Sequence, residues 1–173
     1  MVAIEALRLT DMAAAGDEQA FAELVRASSR TLYSAARAIL RSDQDAQDCV
    51  QEAILKGWEK LPTLRERSYF TTWLTRITVN TAINMTRKRK PSVPLIMELP
   101  ARDIRHEERL DVRRAVELLD VKTRICTVLF YFEDMPTAEI ALATGMREGT
   151  VRSRLFRARA KLRNVLEGYG HEQ

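Results

Sequence analysis

Between positions 147 and 163 the chain carries seven basic residues and one acid. Val151, Leu155, Ala158 and Leu162 recur there at helical spacing and define one apolar stripe. At ~100° per residue, Thr150, Ser153, Arg154 and Arg157 share a face turned away from that stripe. Arg152, Arg159 and Arg163 line one flank, Lys161 the other. A solvated helix face tends to mix signs, because like charges repel and opposite pairs stabilise. A concentration of one sign is relieved by a polyanion, whose counterions are released on contact. Arginine can bridge guanine edges, glutamate can accept from cytosine, and hydroxyls reach phosphates. Arg147, Glu148, Thr150, Ser153, Arg154 and Arg157 are therefore candidates for duplex contacts. Arg159, Lys161 and Arg163 suit backbone contacts or solvated charge.

A second constellation lies in "DQDAQDCVQEAILKGWEKL" (43–61). Ala46, Val50, Ala53, Ile54, Gly57, Trp58 and Leu61 form one stripe, and opposite it stand Asp45, Asp48, Glu52 and Glu59 with Leu55 in their midst. Three readings compete. A metal cage wants converging ligands, whereas these carboxylates spread along a face. Solvated acids also favour a helix N-terminus. The leucine centred on the charged face tips the balance to a docking patch for a basic, amphipathic partner. A third stripe, Trp73, Arg76, Asn80, Asn84 and Arg87, leads into "RKRK" (87–90), which includes Lys88. Asparagine costs helix propensity, and its amide offers a donor and an acceptor to a base edge. Tyr69, Phe70 and Trp73 can stack on unpaired bases, although a core position is the more ordinary one for Phe70 and Trp73. This combination suits single-stranded or melted nucleic acid.

Nearly every segment that must position these groups has helical periodicity, and strand-like alternation is absent. Residues 16–40 predict two helices, with Asp17 an N-cap and Phe21, Leu24 and Val25 the first apolar face. Residues 43–61 predict a third, ending before Pro62. A polar loop, "PTLRERS", precedes a fourth helix from about Tyr69 to Lys90, with Phe70, Leu74, Ile77 and Thr81 inward. Residues 91–107 hold three prolines and read as a linker, although "VPLIMELP" is apolar for a free tether. A helix over 108–119 follows, then one capped by Asp120 and running to about Asp134. Pro136 opens a short helix from a first-turn position. Within 137–156, Ala141, Gly145 and Val151 have the spacing of a helix-turn-helix. A small residue admits the second helix, glycine takes the left-handed turn, and the branched residue packs beneath the recognition helix. The expected fold is all-α: two small helical domains, 1–90 and 108–173, each with its own core, joined by the linker 91–107.

The 173 residues are 46% hydrophobic and 30% charged, which suits packed cores rather than disorder. The net charge of +4 is unevenly placed. Residues 1–64 are acidic on balance, whereas 65–90 carry seven basic residues and one acid. Such asymmetry suggests two kinds of partner. Cys49 and Cys126 lack a CxxC spacing and suit buried thiols. His106 and His171 stand apart from any Cys/His cluster, so no metal or cofactor is expected. No stretch approaches the ~18 apolar residues of a membrane span, and no secretory signal opens the chain. A cytoplasmic protein without membrane contact of its own is expected.

Taken in order, "DAQDCVQEAILKGWEKL", "YFTTWLTRITVNTAIN", "RKRK" and "TAEIALATGMREGTVRSRLFRARAKL" resemble bacterial RNA polymerase sigma factors of the extracytoplasmic-function, group IV sigma-70-like, type. The resemblance covers roughly 16–90 and 108–167. It implies that Asp45, Asp48, Gln51, Glu52 and Leu55 bind core polymerase. It implies that the loop 62–68 and the helix bearing Tyr69, Trp73, Arg76, Asn80, Asn84, Arg87 and Lys88 read and melt the −10 element. Arg147, Glu148, Thr150, Ser153, Arg154 and Arg157 would then read the −35 element as duplex. The linker would thread toward the polymerase channels, and an anti-sigma factor would mask these surfaces. Three positions depart from the family pattern. Asn84 stands where aspartate is usual, which bears on the −10 preference. Pro136 replaces a Ser-like cap, and Asp120 stands where proline is frequent. The alternative is a helix-turn-helix regulator that binds DNA without joining the polymerase. An enzyme would require convergent carboxylates, a nucleophile system or a phosphate-cradling glycine loop, none of which the sequence offers.

Overall fold

The computed structural model describes residues 3–88 and 107–169. Among them the regular elements are helical: α1 (Ala3–Ala14), α2 (Glu18–Leu40), α3 (Asp43–Lys60), two short 3-10 turns (Leu61–Thr63 and Arg67–Tyr69), α4 (Phe70–Lys88), α5 (Glu107–Glu117), α6 (Val121–Tyr131), α7 (Thr137–Thr144) and α8 (Glu148–Tyr169). The proline-containing linker lies outside the described residues up to Glu107, where α5 begins.

The caps follow the sequence closely. Asp17 accepts from the backbone N–H groups of Gln19 and Ala20 at the start of α2. Asp120 accepts from Thr123 N–H at the start of α6, and Ser42 caps α3. Residues 16–40 differ from expectation, forming one helix rather than two. No glycine or proline interrupts Glu18–Leu40, and Ser28 joins its hydroxyl to that of Thr71 on α4, 3.0 Å away. The α2 ladder therefore runs on to Arg41, whose left-handed φ of 59° ends it. Pro136 occupies the N-cap of α7 rather than its first turn. Gly145 turns left-handed at φ 70°, as a helix-turn-helix requires.

α2, α3 and α4 pack around Phe21, Leu24, Leu32, Leu61, Phe70 and Leu74. Gly57 lets α3 and α4 approach closely, since a Cβ there would lie 2.6 Å from Leu74 Cδ1. α4 buries four threonines at 72, 75, 78 and 81. Thr75 and Thr78 satisfy their hydroxyls on the carbonyls one turn back, of Thr71 and Leu74.

Each half keeps a core of its own, around Phe21, Leu24, Leu32, Phe70 and Leu74 in the first and Val116, Leu119 and Ala158 in the second, and the halves also share apolar surface that the sequence reading did not expect. One cluster joins Ala35, Ile39, Ala46, Val79 and Ala82 from the N-terminal half to Ile125, Leu129, Ile140 and Val151 from the C-terminal half. α6 lies on α2 and α7 lies on α4. The small alanines of α2 and α4 let the second bundle sit close, burying apolar surface that separate bundles would leave in water.

Candidate nucleic-acid interface

On α3, Asp48, Gln51, Glu52 and Glu59 face solvent around Leu55, which is 67% exposed. Asp45 is half-buried in the first turn, where its own N–H donates to the Ser42 hydroxyl. The ladder is braced from within, by Gln44 donating to Asp48 and by Lys56 paired with Glu52. A large exposed leucine inside an acidic rim is a surface that an amphipathic basic helix can cover.

The stripe on α4 is also presented outward. Arg76, Asn80, Asn84, Arg87 and Lys88 are exposed. Tyr69 is exposed at the helix entrance, beside the turn that Arg67 ties to Leu61 O and Asp11. Trp73 is half-buried, its ring centroid 6.0 Å from that of the buried Phe70. Phe70 therefore belongs to the core, whereas Trp73 keeps part of its ring accessible.

α8 rests on α6 and α7 through Val151, Leu155 and Ala158, all buried. Arg147, Ser153 and Arg157 are exposed, and Thr150 is half-buried. Two predicted readers are already engaged. Arg154 Nη1 donates to Asp120 Oδ1 at 3.1 Å and to Thr123 Oγ1 at 3.0 Å, with the side chain only 19% exposed. Burial works against the Asp120 carboxylate, but the Thr123 hydroxyl and N–H, then Arg154, overcome it and hold its pKa below the ordinary value. Glu148 accepts from Thr137 and from Arg152, which together lower its pKa. The remaining outward set, Arg147, Ser153 and Arg157, can enter a major groove.

Residues 24–91 match the family Sigma-70 region 2, and residues 109–162 match Sigma-70, region 4. The ECF RNA polymerase sigma factor SigM of Mycobacterium tuberculosis is 36% identical over 159 residues, covering 90% of this chain and 81% of that protein. The RNA polymerase sigma-E factor of Streptomyces coelicolor is 34% identical over 156 residues, covering 87% and 88%. The chain is an extracytoplasmic-function sigma factor of the sigma-70 family. Its fold matches that of CnrH in complex with the cytosolic domain of CnrY, with a TM-score of 0.73 at 28% identity over 95% of this chain and 98% of that one. RpoE of Bartonella quintana, in complex with the anti-sigma factor NepR, shares the fold at a TM-score of 0.71 and 24% identity, over 85% of this chain and 96% of that one.

This sigma factor is thus an alternative initiation factor that directs RNA polymerase to promoters. The region-two match excludes the regulator alternative, because a helix-turn-helix regulator has no need of such a module. Phe156 escaped the sequence reading. It is 67% exposed on α8, between Arg152 and Arg159 one turn away on either side. An outward aromatic on a basic helix offers an apolar surface to thymine methyl groups. The helical wheel already placed it off the apolar stripe, which was the available signal. Cys49 and Cys126 are fully buried, as expected, and burial pushes their thiols up to about 12 and about 11. At neutral pH both remain protonated and poorly nucleophilic.

Proposed function

We propose that the three exposed surfaces divide the work of initiation. The α3 patch of Asp45, Asp48, Gln51, Glu52 and Leu55 docks on core polymerase. The α4 stripe of Tyr69, Trp73, Arg76, Asn80, Asn84, Arg87 and Lys88 takes the opened −10 strand, stacking and hydrogen-bonding unpaired bases. The α8 set of Arg147, Glu148, Thr150, Ser153, Arg154 and Arg157 serves the −35 duplex. Within it Arg147, Ser153 and Arg157 touch DNA, while Glu148 and Arg154 brace the helix. The single observation that carries this reading is the α4 stripe, an outward row of amides and cations beside a half-exposed tryptophan on the module that also bears the docking patch.

The chain performs no catalysis of its own, since the polymerase makes the transcript, and it works in the cytoplasm where the polymerase is. Among the described residues no helix is long and apolar enough to cross a membrane. An anti-sigma factor is its expected inhibitor, given that two solved relatives are held by such partners or by a cytosolic domain. Purified chain, core polymerase and a promoter template test the assignment. Specific initiation that depends on the chain, and that falls with Leu55→Asp through weaker core binding, is the expected result. Core polymerase that fails to retain the chain would remove the assignment.

A further inference from the structure

We propose that α1 is a positioning element for −10 recognition: through Asp11 and Arg67 it fixes the turn that presents Arg65 and Tyr69 to the opened strand. The inference rests on the α4 reading given above. It gives a role to a helix that precedes residues 24–91, the stretch that matches Sigma-70 region 2.

The chain between α3 and α4 alternates anchors with outward residues. Leu61 and Leu64 are buried, and the Arg67 side chain is only 26% exposed. Between and beyond these anchors, Pro62, Thr63, Arg65, Glu66, Ser68 and Tyr69 face solvent. The anchored side meets α1, which packs on both 3-10 turns. Leu9 and Ala13 of α1 belong to the same buried cluster as Leu61 and Leu64.

Apolar contact is non-directional, so by itself it leaves the tilt of the second turn free. Arg67 supplies the direction. Its Nη1 donates to Leu61 O at 3.2 Å and closes the mouth of the loop, while its Nε lies 3.5 Å from Asp11 Oδ1. A planar guanidinium held at two edges cannot turn without giving up one of them. Asp11 stands in the last turn of α1, where the helix dipole disfavours an acid and aspartate costs helix propensity. Helix α1 therefore gains nothing from this carboxylate on its own account; what the carboxylate serves is Arg67.

The turn held in this way carries groups that can meet DNA. Tyr69 N–H donates to Glu66 O at 3.2 Å, and the Ser68 hydroxyl donates to the Glu66 carboxylate at 2.8 Å. Glu66 is thereby held along the loop. Among the described residues no hydrogen bond or ion pair engages Arg65, which remains the outward cation of the loop. Tyr69 is 42% exposed and stands four residues before Trp73. A binding group must be held within about 0.5 Å of its productive place, so the tilt of this turn decides which base the ring meets. Asp11 touches no DNA in this scheme and acts only through Arg67.

The experiment uses holoenzyme reconstituted from the full-length chain and core polymerase. Its probes are two fluorescent single-stranded DNAs of equal length, one carrying the −10 strand of a promoter at which the chain initiates and one scrambled. Asp11→Ala should lower the preference for the −10 strand over the scrambled one about threefold, the scale of an exposed ion pair, and Asp11→Glu should keep it. Taking the ratio removes the general effect of deleting a negative charge. Arg67→Ala should lower the preference about tenfold, because the link to Leu61 goes as well. The double variant should be no worse than Arg67→Ala, since Asp11 acts through that residue. A contribution to stability alone would instead shift thermal unfolding and weaken both strands together. An unchanged ratio in Asp11→Ala, an equal loss on both strands, or additive losses in the double variant would overturn the positioning role and leave the α4 reading standing. A wild-type holoenzyme with no preference, or one whose preference survives Tyr69→Ala, would overturn that reading and this inference with it.

Discussion

The α4 stripe and the face of α8 are both basic and both outward, yet their side chains differ in commitment. Among the described residues, no hydrogen bond or ion pair engages the side chains of Arg76, Asn80, Asn84, Arg87 or Lys88. On α8, Glu148, Arg152 and Arg154 are bonded to groups in the protein, and Arg157 Nε reaches back to Ser153 O. The difference teaches that basic residues on one helix face are not one population. Uncommitted groups meet the ligand at little cost. A committed group must first leave its partner, or else it acts by fixing the helix that carries the readers.

The largest contrast is between the buried and outward sides of α4 itself. Leu74 is fully buried at the α3–α4 contact beside Gly57. Leu74→Ala is expected to cost about 2–5 kcal/mol of stability through lost burial and the cavity left behind. Asn84→Ala, one stripe away and exposed, should leave denaturant unfolding unchanged within about 0.5 kcal/mol while weakening binding to a melted −10 strand. If Asn84→Ala destabilised the fold as much as Leu74→Ala, the stripe would be structural and the contrast with α8 would vanish.

Within α8 the contrast can be drawn between two arginines one turn apart. Arg154→Ala removes the link to Asp120 and Thr123 and should lower unfolding stability by about 1–3 kcal/mol, the scale of a charge-assisted hydrogen bond. That value is tempered by Arg154 Nε, which is buried without a partner. Arg157→Ala should leave stability alone and lower −35 duplex affinity, with about 1–3 kcal/mol of base discrimination lost if its contact is bidentate. Melting curves and a footprint titration read the two effects separately. Identical profiles for the two variants would mean that Arg154 leaves Asp120 to read DNA.

Much of this was legible because it is local. Helix periodicity, the caps at Asp17 and Asp120 and the left-handed turn at Gly145 depend on residues within a turn or two of each other, and the chain states them directly. The exposed Leu55 and the α4 stripe followed from the same wheels. What escaped depends on residues far apart in sequence. Arg124 meets Ala38 across 86 positions, and Glu133 meets Ser34 across 99, so the contacts between the two halves leave no periodic trace. Arg154 was assigned to DNA for the same reason. Its angle on the wheel is right for a reader, but α6 supplies Asp120 from 34 residues away. The continuity of α2 depends in the same way on a distant residue, since Ser28 at its middle bonds to Thr71 on α4, 43 positions away.

A smaller effect separates readers from steering charge. Arg159 and Lys161 are exposed and make no described bond within the protein. If they contact phosphates, Arg159→Ala should weaken binding to all duplex sequences alike and reduce the slope of log affinity against log salt by about 1. Arg157→Ala should reduce affinity more for the correct −35 sequence than for an unrelated one. A sequence-dependent loss at Arg159 would place it among the readers, and the division of the α8 face would have to be redrawn.

The smallest effect is electrostatic, and it too falls on one region. The α4 stripe contains no carboxylate, whereas α8 is braced by Asp120 and Glu148, whose pKa values both lie below their ordinary ones. A depressed carboxylate pKa means that the unfolded chain binds the proton more readily. The stabilisation is therefore present above the ordinary carboxylate range, and it is lost as pH falls through the lower, folded value. For Asp120 the loss should begin below about pH 4. Asp120→Asn keeps an acceptor for the Thr123 cap but carries no charge for Arg154. Thermal melts should show the wild type more stable than this variant at pH 6, with the gap narrowing as the pH drops toward 3. A gap that stayed constant across the range would show that the Asp120 charge contributes nothing, and α8 would be braced by hydrogen bonds and packing alone.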